Sequence, residues 1–89
     1  MQQMIASLKF EIFYYLDGSL MSHKRKTAEY ALKEARRLKR LERKNPNRIR
    51  NVEIQVNIQI RNFFIIRTYK DNDNFNTFQQ AFYLSRKSK

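Results

Sequence analysis

Residues 52–61 of this 89-residue chain read VEIQVNIQIR, a strict alternation of apolar and polar side chains, and no other stretch restricts the fold as much. A side-chain period of two belongs to a β-strand, whereas a helix repeats at about 3.6 residues. Val52, Ile54, Val56, Ile58 and Ile60 therefore share one face, and Glu53, Gln55, Asn57, Gln59 and Arg61 share the other. That is the half-buried pattern of an antiparallel sheet. Such a strand needs hydrogen-bonded neighbours and a second layer over its apolar face. Arg61-Asn62 is expected to turn the chain, because one strand running on to Lys70 would be far longer than strands usually are. Residues 63–70 then return as the second arm of a hairpin.

Another hairpin is expected near the start. In residues 5–16, Leu8, Phe10, Ile12 and Tyr14 fall on one parity, with Lys9 and Glu11 on the other. Phe13 and Tyr15 break the alternation, so both faces should be partly covered. Asp17-Gly18 follows, and Gly18 is the only glycine. Asp-Gly between apolar runs signals a type I′ turn, which needs positive φ at both positions. Residues 19–24 would be a short returning strand, with a plain loop as the alternative.

Between the hairpins the period changes. Ala28, Ala31, Leu32, Ala35 and Leu38 recur at spacings of three and four, with Leu41 at the edge, which predicts an amphipathic helix over residues 27–45. Thr27 suits the N-cap and Glu29 the positive first turn. Asn45-Pro46 ends the helix, since proline cannot continue the hydrogen-bond ladder. Residues 47–51 read as a basic connector. After the second hairpin, Asp71-Asn72-Asp73-Asn74 has turn composition. Phe75, Phe78, Ala81, Phe82 and Leu84 then suit a short amphipathic helix capped by Asn74 or Asn76, with a terminal strand as the alternative.

The expected fold is α+β. One small domain over residues 1–85 would hold an antiparallel sheet of about four strands in two hairpins, with the long basic helix on its apolar face and the short C-terminal helix after it. Residues 86–89 are expected to be a basic disordered tail. Seven Phe and five Tyr in a chain 42% hydrophobic are enough for one core.

The formal charge is +11, and residues 24–50 carry most of it, with twelve Lys or Arg against three Glu. On the helix, Lys33, Arg36, Arg37, Arg40, Arg43 and Lys44 gather opposite the apolar stripe, and only Glu29 falls among them. Like charges four apart, such as Lys33/Arg37 and Arg36/Arg40, cost a few tenths of a kcal/mol each. A face kept only for solubility would interleave Glu. Arg outnumbers Lys in this arc, and its planar fork matches phosphate oxygens. These six residues, with Arg48 and Arg50, are the candidate phosphate contacts of a small nucleic-acid-binding protein without a catalytic site, its partner DNA or RNA. Beside it stand two other readings: a small interaction or inhibitor protein binding an acidic protein surface, and a merely solvated face.

Other chemistry is thinly represented. There is no Cys and only one His, so disulfides, thiolate metal sites and His clusters are excluded within one chain, and no metal or cofactor is expected. Glu53-Ile54-Gln55 lacks the Lys of a Glu-x-Lys nuclease half-site, and Asp71 and Asp73 lack the Gly and closing Glu of a calcium loop. A metal-independent ribonuclease of the toxin kind would need only cations and a proton carrier, for which His23, Arg25, Tyr30 and Arg67 are available, though their spacing does not select them. Tyr14, Tyr15, Phe63, Phe64 and Phe75 could stack on unpaired bases, although aromatics in strands more often fill a core. The apolar run of residues 4–16 is short and interrupted by Lys9 and Glu11, and the helix buries mostly Ala. No membrane partner is expected, and the location expected is cytoplasmic. The composition, small and basic with many Asn and one Gly, resembles that of many phage and mobile-element proteins.

Overall fold

The computed structural model describes residues 5–87, in the order β1 (Ile5–Leu16), β2 (Ser19–Arg25), α1 (Ala28–Lys44), β3 (Ile49–Ile60), β4 (Phe63–Tyr69) and α2 (Asn72–Lys87). The four strands form one antiparallel sheet in the order β2-β1-β3-β4. Both hairpins are present, joined along their two longest strands, and both helices pack on one face, giving the α+β architecture that the periodicities imply. A 12-residue strand rising about 3.3 Å per residue is about 40 Å long, which accounts for a slab of 48 × 26 × 18 Å.

Local chemistry explains the element ends. Asp17 (φ 51°) and Gly18 (φ 85°) both take the left-handed conformation of a type I′ turn. Thr27 caps α1, its hydroxyl oxygen accepting the Tyr30 N–H at 3.2 Å. At the other end the Asn45 N–H donates to the Leu41 carbonyl at 2.8 Å, and Pro46 stops the ladder.

The core lies between the sheet and the two helices. Phe10, Ile12 and Tyr14 of β1 and Val52, Ile54 and Val56 of β3 supply the sheet side. Ala28, Ala31 and Ala35 let the α1 backbone come close to it, while Leu32 and Leu38 fill the space between. From α2, Phe75 and Phe78 are fully buried, and Phe78 stands edge-on to Phe10 at 5.9 Å and to Tyr69 at 5.3 Å. Among the described elements nothing covers the opposite face of the sheet.

The structure corrects three boundaries. β3 begins at Ile49, inside the stretch expected to be a connector. The register against β1 shifts between Phe13/Glu53 and Tyr15/Arg50, so Asn51 and Val52 together face Tyr14. Asn51 takes φ 59°, which Asn tolerates, and this β-bulge turns Ile49 into the core and Arg50 away from it. The expected turn at 71–74 is instead the start of α2. Asp71 accepts the Asn74 N–H on its carboxylate at 2.9 Å and the Phe75 N–H on its carbonyl at 2.8 Å, so Asp71 caps the helix rather than Asn74 or Asn76. Finally, α2 is 16 residues long and not short, and its span takes in Arg86 and Lys87 from the stretch assigned to a tail. Ser88 and Lys89 lie outside the described residues, as does the Leu84 side chain, and Ala81 is exposed rather than turned inward.

Candidate nucleic-acid interface

Because α1 lies on the sheet along its alanine stripe, its opposite side is the outer surface of the molecule. Lys33, Arg37, Arg40 and Lys44 are exposed along that side. Their spacings of four, three and four residues align them into a rail about 16 Å long at about 1.5 Å per residue. None enters an ion pair among the described residues. Arg43 is also exposed, on the shoulder of the rail. Arg43 and Lys44 sit in the last turn, where the negative end of the helix dipole favours cations. Tyr30, 65% exposed, stands one turn before Lys33 and gives the rail an aromatic end.

The other three candidates are placed differently. Arg36 reaches across to α2, donating to Asn76 Oδ1 at 2.9 Å and Gln79 Oε1 at 3.2 Å, and so braces one helix against the other. Arg48 donates from Nε to Asp17 Oδ1 at 3.2 Å, and its carbonyl accepts the Asp17 N–H at 2.8 Å. It therefore ties the loop after α1 to the β1–β2 turn. Arg50 pairs with Tyr15 of β1, on the sheet face that α1 does not cover. The bulge at Asn51 sends it there.

A second, half-buried cluster lies under the flank of α1. His23 Nδ1 lies 2.6 Å from Glu34 Oε2, and Arg25 Nε lies 2.6 Å from Glu34 Oε1. On the other side of the ring, Tyr14 OH lies 3.4 Å from His23 Nε2. A histidine between a carboxylate and a phenol, with a cation on the same carboxylate, has the parts for proton transfer. Here, though, both ring nitrogens already have partners inside the fold and Tyr14 is buried, so the cluster holds β2 to α1. Of the set considered for ribonuclease chemistry, only His23 and Arg25 meet. Tyr30 lies outside on α1, and Arg67 is on β4 at the far edge of the sheet.

Comparison with protein-family models, with curated proteins and with solved structures gave no match to this chain. The reading of the site rests on its own geometry.

Of the aromatics considered for base stacking, Tyr14 and Phe75 belong to the core, while Tyr15, Phe63 and Phe64 are exposed. Among the described residues no group of three or more His, Asp or Glu is placed to hold a metal ion, and no helix is long and apolar enough to cross a membrane. The part that Glu34 plays was not visible from spacing, since its partners lie on β2. The bond from Arg36 to α2 had one faint signal, the polar pair Asn76 and Gln79 three residues apart on a helix that is otherwise apolar on its inner side.

Proposed function

We propose that the chain is a nucleic-acid-binding module that follows a phosphate backbone along the exposed rail of α1, without reading bases. The observation that supports this is the line of Lys33, Arg37, Arg40 and Lys44, four exposed cations on one rigid element with no acidic partner among the described ion pairs. Arranged this way, the cations cost helix stability by mutual repulsion, and a polyanion would reverse that cost. Arg43 and Tyr30 extend the contact. Arg36 and Arg48 act as braces, and Arg50 belongs to another face.

Titration of labelled duplex DNA, single-stranded DNA and RNA at low salt tests the reading. Binding to at least one of them is expected. Changing Arg37, Arg40 and Lys44 together to Gln should weaken binding to different sequences about equally, by about tenfold or more. No binding to any of the three, or a triple variant that binds as tightly as the parent, would sink the proposal. A stoichiometric acidic protein retained after nuclease treatment would replace it with the protein-partner reading.

A further inference from the structure

We propose that β4 is the docking edge for a second copy of this chain, the two β4 strands pairing antiparallel about a two-fold axis. The two edges of the sheet differ in kind. β2 presents Ser19, Ser22, Lys24 and half-buried His23 and Arg25, with Leu20 its one large exposed apolar side chain. Polar and cationic residues of that sort keep an edge from pairing. β4 reads FFIIRTY, with Phe63 50%, Phe64 57% and Ile66 52% exposed.

These side chains project from both faces. The register sets Phe64 and Ile66 opposite Gln59 and Asn57 on the open face, and Phe63 and Ile65 opposite Ile60 and Ile58 on the helix side. A ligand lying on one face would cover only half of them. A strand that continues the sheet covers both.

The backbone is arranged for the same partner. Across the two-residue turn, Ile60 and Phe63 form the closing bonded pair, so Phe63, Ile65 and Arg67 direct their N–H and C=O groups toward β3. Phe64, Ile66 and Thr68 then direct theirs outward, to the free edge. The midpoint of Phe63–Tyr69 is Ile66, itself one of the outward set. Full overlap of two β4 strands therefore centres on Ile66 bonded to Ile66 of the partner subunit. Phe64 meets Thr68 of the partner subunit, and Phe63 meets Tyr69 of the partner subunit. Arg67 is the only charge within β4 and meets Ile65 of the partner subunit, so no like charges oppose each other.

Charge favours this edge over any other for self-association. Residues 51–85 are formally neutral, and the cationic stretch 24–50 lies on α1, β2 and the start of β3. α1 packs on β1, β2 and β3 but not on β4. Two copies would thus meet at their least charged side. Each copy has one such edge, so the assembly closes at two.

Sedimentation of nuclease-treated protein at about 0.5 M salt, where exposed charges are screened, reads the mass directly. The expected mass is twice the 10.9 kDa of one chain. Ile66→Lys, and separately Phe64→Thr, should give monomers with unchanged circular dichroism, since both side chains are exposed. The chain has no Cys, so Ile66→Cys introduces a single thiol. Its Cα would lie about 5.5 Å from its two-fold mate, within disulfide reach. It should cross-link on oxidation, whereas Leu20→Cys on the other edge should not. A monomeric parent, assemblies larger than two, a dimer that survives both edge substitutions, or equal cross-linking from the two edges would each overturn the proposal.

Discussion

Single residues in this protein do their work through one or two contacts. Glu34 is the clearest. Its side chain is 10% exposed and holds both His23 and Arg25, while those partners are 31% and 37% exposed. Losing it lies between breaking a surface pair and breaking a buried one. We therefore expect Glu34→Gln to cost about 1–2 kcal/mol, lowering the melting temperature by several degrees in a thermal unfolding curve. An unchanged melting point would show that the cluster contributes nothing. Gly18 shows what sequence reveals at this scale. The requirement for positive φ is local, and Asp17-Gly18 announces it. Arg36 shows what it hides. Its acceptors, Asn76 and Gln79, are 40 and 43 residues away, and no local pattern tells a braced arginine from a free one.

Elements with a strong period were readable and their frayed or irregular ends were not. α1 runs from Ala28 to Lys44 between the caps Thr27 and Asn45, as the apolar spacing implies. β3 was readable from Val52 onward, but the bulge at Asn51 shifts parity by one and hides Ile49 and Arg50 from an alternation rule. For α2 the ambiguity between helix and strand came from four consecutive Asp and Asn residues, which suit a turn and a helix start equally. Packing decides it, because only a helix brings Phe75, Phe78 and Phe82 together over Phe10. Phe78→Ala should accordingly cost about 3–5 kcal/mol in a urea titration of stability, whereas Phe64→Ala, on an exposed position, should change the stability of the monomer by about 0.5 kcal/mol or less. Similar costs at both positions would contradict this packing of α2.

At the scale of the whole molecule, the distribution of charge matters more than its total. The rail on α1 offers four exposed cations, five with Arg43 on its shoulder, so binding to duplex DNA should follow a slope of about −3.6 to −4.5 in log affinity against log salt, and about −2.8 to −3.5 for single strands. A slope near that of eight contacts would mean that Arg36, Arg48 and Arg50 also reach phosphate, against their placement. Pairing through β4 would keep α1 of both copies on the same side of one continuous sheet, because a two-fold axis normal to a sheet preserves its faces. A duplex could then meet two rails at once.

By itself the sequence determined the types of β1, α1, β3 and β4, both tight turns, the helix caps at Thr27 and Asn45, and the concentration of positive charge between residues 24 and 50. Each of these follows from interactions within a few residues, where side-chain period, steric limits on φ and the loss of a proline N–H act directly. Tertiary structure alone decided the strand order β2-β1-β3-β4, the cap at Asp71 and the division of eight candidate cations into a free rail, a shoulder, two braces and one residue on the far face. It also left one edge of the sheet polar and the other apolar. Those outcomes depend on which distant surfaces come into contact, and burial is set by the partner across the core as much as by the residue itself.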